Sequence, residues 1–211
     1  MHMITVFLEE TDLAKNRRIV LASQSPRRRE LLKMLGLEFE ITADNSPENA
    51  DLTLPPNEVV CSLARNKCEN VTKKLSPGSA DIVIAADTVV SFSGKILGKP
   101  KDRADAFKML AMLSGSMNTV YTGVCVKAPA TGKTVCFYEK TDVFFKSLDT
   151  DEINAYINTG EPMDKAGAYG IQNYGALFIR EIHGDYFNVV GLPLCHLGEV
   201  LKNGFDLEIL L

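Results

Sequence analysis

Ile19-Val20-Leu21-Ala22-Ser23-Gln24-Ser25-Pro26-Arg27-Arg28-Arg29-Glu30-Leu31-Leu32 is the stretch whose reading decides the fold. The apolar run from Ile19 to Ala22 reads as a buried strand. Ser25 then reads as a helix N-cap, with Pro26 at the first helical position, where its missing N–H costs nothing. Three arginines follow in the first turn, where the helix dipole is already positive and an acid would normally be favoured. Arg29 reads as part of a solvated face. Arg27 and Arg28, at the mouth of a buried strand, read as an anion site in which helix N–H groups and guanidinium forks converge on a phosphate.

Composition bounds the remainder. The 211 residues are 45% hydrophobic and 24% charged, which suits one large α/β domain or two merged lobes. We expect residues 1–17 to be an N-terminal extension and residues 18–211 the domain. A net charge of −4 excludes a general nucleic-acid binder, because phosphate-tracking proteins carry a basic excess. The five cysteines, Cys61, Cys68, Cys125, Cys136 and Cys195, are odd in number and lack CxxC or Cys/His metal spacing. They point to a reducing compartment. With no signal-peptide core and no apolar run of membrane-spanning length, the expected location is the cytoplasm, away from membranes.

Further along, the first helix stops at Gly36 and Phe39 to Ala43 alternates as a short strand. Residues 44 to 56, rich in Asn, Asp and Pro, form a loop that contains Glu48. Asn57 reads as the N-cap of a long helix ending near Leu75, and Lys67 falls on its apolar stripe of Val60, Leu63, Ala64, Val71 and Leu75. Such a lysine either snorkels to the helix edge or points into a site that supplies negative charge. If it reaches such a site, replacing it by methionine should keep or raise stability. Ile82 to Ala86 is a strand covered on both faces, and Asp87-Thr88 stands at its carboxyl end, where α/β sheets bind ligands. An aspartate there is a candidate metal ligand or general base; the competing reading is an acid that opens a turn.

A hairpin at Ser93-Gly94 leads to Lys99, held between Gly98 and Pro100. Asp102 caps a helix that ends at Gly115. Residues 119–127 and 134–146 read as an antiparallel ribbon, and Asp149 with Glu152 reads as a capping box. Residues 160–175 are glycine-dense, with Lys165, Tyr169 and Gln172 between the glycines. Ala176 to Ile182 reads as a strand, His183-Gly184-Asp185 as a turn, and Leu192-Pro193 as the start of a last helix running to about Asn203. His183 and His196 are isolated and read as turn and helix residues without a metal or triad role.

Ser23-Gln24-Ser25-Pro26-Arg27-Arg28, Leu63-Ala64-Arg65-Asn66-Lys67, Ala86-Asp87-Thr88-Val89-Val90, Gly98-Lys99-Pro100 and Asp164-Lys165-Ala166-Gly167-Ala168-Tyr169-Gly170-Ile171-Gln172 together resemble the Maf family of nucleoside triphosphate pyrophosphatases. The resemblance implies an α/β fold with an elongated mixed sheet in two merged lobes, flanking helices and a ligand cleft between the lobes, similar to inosine triphosphate pyrophosphatases. It implies hydrolysis between the α- and β-phosphates with a divalent cation, Mg or Mn. Asp87 matches the family's proton acceptor and either binds the metal or takes the water's proton; Glu48, a second candidate metal ligand, sits at the spacing of a site carboxylate, although Pro47 stands where another acid is expected. Lys67 and Lys99 match phosphate-contacting lysines; Ser25, Arg28 and Lys165 complete the expected binding set. Arg27, Thr88 and Gln172 match substrate-choice positions, in the form shown by the branch acting on dTTP, UTP and some modified pyrimidine nucleotides. The alternatives are the 7-methyl-GTP branch and a non-hydrolytic regulator of cell division. The implied partners are a nucleoside triphosphate and a second copy in a homodimer.

Overall fold

The computed structural model describes residues 17–210 except 45, 47–49 and 52. Its centre is one mixed sheet in the order β2-β1-β3-β5-β6-β7, with β4 added to β3. The strands are β1 (Ile19–Leu21), β2 (Phe39–Ile41), β3 (Ile82–Phe92), β4 (Lys95–Leu97), β5 (Met117–Lys127), β6 (Thr134–Phe145) and β7 (Ile179–His183). β1 runs parallel to β2 and β3, and every other pairing is antiparallel. The parallel pairings require crossovers, which α1 (Pro26–Met34) and α2 (Pro56–Lys74) supply. α3 (Arg103–Leu113), α4 (Thr150–Asn158), α5 (Tyr186–Val190) and α6 (Leu194–Phe205) complete the helices.

The unbroken apolar run in β3 has a direct cause. Ile82, Ile84 and Ala86 face one core with Leu31, Leu32, Leu197 and Leu201, whereas Val83 and Ala85 face another with Ala64, Cys68, Val71 and Cys125 under α2. Further along, Val90 enters a third core with Leu110, Leu113, Val143, Phe145 and Tyr156 beneath α3 and α4. Strands of 11 or 12 residues span roughly 35 Å, enough to pass from the first core to the third. The expected two merged lobes are therefore strung along one set of strands, with the first two cores on opposite faces of its parallel end and the third beyond them.

Four local expectations change. α2 begins at Pro56 behind Pro55, with no side-chain cap, so Asn57 is not its N-cap; proline's fixed φ at N1 starts the helix instead. Residues 173–178 form a 3-10 turn, and the strand begins only at Ile179. Asp185, read as the end of a turn, is also the N-cap of a short helix, α5, accepting from Phe187 N at 2.8 Å. The last helix begins at Leu194 and runs to Phe205. All five cysteines are free thiols. Among the described residues no helix is long and apolar enough to cross a membrane. Residues 1–16 of the expected extension lie outside the described residues.

α2 lies against β5 with backbone meeting backbone. A Cβ built on Gly123 would stand 2.4 Å from the Val60 carbonyl carbon and 2.7 Å from Cys61 N. Gly198, inside α6, has nothing within 4 Å of such an atom. The two alanine substitutions therefore have opposite signs. Gly123→Ala should destabilise by about 1–3 kcal/mol through overpacking, whereas Gly198→Ala should stabilise by about 0.5–1 kcal/mol through helix propensity. Thermal or urea unfolding of the two variants checks the contrast.

Candidate active site

The parallel and antiparallel parts of β3 leave a gap between them. β1 pairs with β3 only as far as Leu21 opposite Ile84, and β4 pairs only from Val90 onward. Between these partners the edge of β3 faces a cleft of about 800 Å³. Asp87 and Thr88 fall in this gap, so Asp87 stands at the carboxyl edge of the parallel portion although its own strand continues to Phe92. That placement fits the general location of ligand sites in α/β sheets and removes the turn reading.

Asp87 is 7% exposed, and Lys67 Nζ donates to its Oδ1 at 2.5 Å. The two side chains are 11% and 16% exposed. Lys67 thus reaches inward from the apolar stripe of α2 and meets the strand's carboxylate, which decides between the two readings left open for it. The earlier stability expectation reverses with it. Removing Lys67 would not relieve a misplaced charge; it would leave Asp87 nearly buried without its counter-charge.

Around this pair the α1 N-terminus forms one wall. Ser25 caps the helix, its Oγ accepting from Arg28 N at 3.4 Å. The Arg28 guanidinium donates to Ala86 O at 2.7 Å, Gly191 O at 2.8 Å, Thr88 Oγ1 at 2.9 Å and Ser23 Oγ at 3.4 Å. Ala86 O is available to it because β1 has already ended. Arg28 therefore ties α1, the open edge of β3 and the end of α5 together, and the positive charge it brings remains in the cleft. Thr88 continues this network: its hydroxyl lies 2.9 Å from Thr122 Oγ1, which donates to Asn188 O at 2.9 Å. Thr122 and Asn188 were not singled out in the sequence; a threonine opposite Thr88 in the β3–β5 register was the available signal.

The glycine-dense segment forms the facing wall. Glu161 organises it, its Oε1 accepting from Tyr156 OH at 2.9 Å and Gly175 N at 3.3 Å, and its Oε2 from Tyr174 N at 3.2 Å. Gly175 is required by close approach, since a Cβ there would lie 2.1 Å from Gly170 O. Ala168 (φ 61°) and Asn173 (φ 55°) are in the left-handed region that non-glycine residues rarely adopt. They flank the half-buried Gln172, and strain of this kind persists where surrounding contacts over-determine the backbone. Arg27 Nη1 donates to Asp164 Oδ2 at 3.2 Å, and Lys165 Nζ donates to Asp164 Oδ1 at 2.7 Å and Glu161 O at 2.6 Å. Partial burial raises the Asp164 pKa, but hydrogen bonds from Lys165 and Arg27 outweigh it and hold the carboxyl below its usual range.

Lys99 lines the cleft from the loop after β4, exposed and without an ion pair among the described residues. Asp44 lines it opposite, and burial there is outweighed by hydrogen bonds from Asn70, Ser46 and Lys74, which hold its carboxyl far below the ordinary range. Asp44 thereby fastens the start of the 44–56 loop to α2. Glu48 lies outside the described residues. His183 and His196 pair with Glu181 and Glu139, apart from the cleft. Among the cleft's described residues, Arg27, Arg28, Lys67, Lys99 and Lys165 oppose Asp44, Asp87 and Asp164, an excess of two positive charges.

A family model described as Maf-like protein matches residues 18–204. The dTTP/UTP pyrophosphatase of Thermoanaerobacter sp. (strain X514) is 50% identical over 193 residues, covering 92% of this chain and 100% of the relative. That of Alkaliphilus oremlandii is 48% identical over 194 residues, with the same coverage, and that of Bacillus anthracis is 46% identical over 193 residues, covering 92% and 98%. Among solved structures, the Staphylococcus aureus Ham1 protein is similar with a TM-score of 0.43 and 17% identity over 61% of this chain and 72% of that one; nothing rests on a likeness of that size. With motifs from Ser23 to Gln172 gathered on one cleft, and a family model spanning nearly all the described residues, the chain belongs to the Maf-like protein family.

Proposed function

We propose that this protein is a nucleoside triphosphate pyrophosphatase that hydrolyses dTTP and UTP to the monophosphate and pyrophosphate. The observation that carries the reading is the Lys67–Asp87 pair at the open edge of β3, inside a cleft with an excess of positive charge. Relatives at 46–50% identity that bear the name dTTP/UTP pyrophosphatase support the same activity.

The charge arithmetic supports a metal as well. A triphosphate carries about four negative charges near neutral pH, so the cleft's two positive charges leave a deficit that one divalent cation removes. Among the described residues no three His, Cys, Asp or Glu side chains converge as a ready cage. A single carboxylate plus substrate phosphates is, however, a common way to hold Mg or Mn, and Asp87 suits it as the acid at the open edge of β3, with its Oδ1 shared with Lys67. When bound, the ion would neutralise phosphate charge and lower the pKa of water.

The chain's own contribution is then positional and electrostatic. Lys67 holds the Asp87 carboxylate in place by its hydrogen bond to Oδ1, so that it accepts the proton of a water attacking the α-phosphorus. Lys99 and Lys67 face the phosphates and stabilise the negative charge that gathers on the departing pyrophosphate. Arg28 holds the cleft walls at fixed separation and contributes its charge from behind. Ser25 shapes the helix start beside the anion, and Lys165 fixes the opposite wall. Arg27, Thr88 and Gln172 read the base, Gln172 offering a donor and an acceptor to the N3–H and O4 edge of uracil or thymine. The cytoplasm and a homodimer remain part of the same proposal.

Pyrophosphate release measured across dTTP, UTP, ATP, GTP and 7-methyl-GTP with Mg or Mn tests this directly. dTTP and UTP should exceed ATP and GTP clearly in kcat/KM; no release from any nucleotide would sink the activity, and a preference for 7-methyl-GTP would sink the base assignment. Asp87→Asn should fold and bind nucleotide while losing roughly 10²-fold or more in turnover, the scale of lost general-base catalysis. Lys67→Met should lose activity similarly and also fall in stability by about 1–3 kcal/mol. In the Lys67→Met, Asp87→Asn double variant much of that stability should return, which paired unfolding curves will show.

A further inference from the structure

The pair Arg27–Asp164 joins two segments 137 residues apart across the mouth of the cleft. Its members are 33% and 63% exposed, and ion pairs of that exposure contribute little to folding stability. It is nevertheless unusually well directed. Asp164 is fixed from its own side by Lys165, whose side chain is only 13% exposed and whose ammonium is anchored to Glu161 O. The Lys165 stem lies against Gly170, where a Cβ would come within 2.9 Å of its Cε. Each carboxylate oxygen of Asp164 thus serves a different cation: Oδ1 takes Lys165 and Oδ2 takes Arg27.

The arrangement has a chemical consequence for Arg27. A guanidinium in the first turn of a helix, above a bound triphosphate, is attracted to the phosphates with nothing in the dipole to keep it elsewhere. Asp164 balances its charge and aims its fork toward the wall that ends at Gln172. We propose that Asp164 is a specificity-positioning residue, holding Arg27 at the nucleobase and away from the triphosphate. The inference rests on the reading of Arg27 as a base-selecting residue in a nucleoside triphosphate pyrophosphatase.

Removing the carboxylate frees Arg27 for the phosphates, which every nucleotide shares. Asp164→Asn should therefore lower KM for GTP more than for UTP, which loses Arg27 from its base as it gains it at the phosphates, and inorganic tripolyphosphate should inhibit the variant more tightly than the unsubstituted enzyme. The ratio of kcat/KM for UTP over GTP should fall about tenfold. Asp164→Glu, which keeps the charge, should recover much of the ratio, and Asp164→Asn added to Arg27→Ala should change the ratio no further. The unfolding midpoint should stay near its original value in each variant. A UTP/GTP ratio retained in folded Asp164→Asn, or an equal loss of kcat/KM on both nucleotides with no tightening of tripolyphosphate, would overturn this inference while leaving the pyrophosphatase standing. An unsubstituted enzyme with no base preference would overturn the reading beneath it, and this inference with it.

Discussion

Everything in the cleft depends on how closely α2 approaches the sheet. The helix backbone at Val60 and Cys61 touches β5 at Gly123, with no side chain between them. Gly123 is also the residue that pairs with Asp87 in the β3–β5 register. One cross-strand position therefore sets both the depth of the helix and the height of the carboxylate. Lys67, two turns along from Val60, meets Asp87 because of that coincidence. An ordinary side chain at position 123 would lift the helix by about its own thickness and leave the lysine short.

The sheet itself explains why a cleft exists. A strand that has the same partner along its whole length buries both edges and offers nothing to a ligand. β3 changes partners, from parallel β1 to antiparallel β4, and at the change several backbone groups lack a strand to bond. Arg28 satisfies one of them, Ala86 O, with a charged donor. The unpaired stretch thus becomes a cationic, polar opening in an otherwise apolar sheet.

The sequence made some of this legible and left the rest hidden, for physical reasons. Ser25 and Pro26 announce α1 because capping and proline geometry are local, and the double-sided burial of Ile82 to Ala86 is written in its lack of alternation. Lys67 was visible as an anomaly on an apolar stripe, but its partner, 20 residues away, was not. Arg28 looked like a phosphate ligand because side-chain reading cannot see backbone acceptors; its actual partners include two carbonyls. α5 was missed because Tyr186 to Val190 is short and rich in β-formers, although the Asp185 cap was a usable signal. Near Gln172 the glycine density and Asn173, a type that tolerates left-handed geometry, were weak signals, whereas the left-handed Ala168 had none.

The mixed pairing of β3 also bears on the order in which chain segments can come together. β5 and β6 are joined by a short connection between Lys127 and Thr134, so their ladder closes a small loop and loses little chain entropy. β1 must instead find a strand 63 residues away, with two helices and β2 in the intervening chain. Non-local pairings of that kind are the slow ones. Chain entropy therefore favours a ribbon that assembles early and a cleft that closes late. A ligand held in the cleft would act on that late closure, and hence on unfolding more than on the first collapse of the chain.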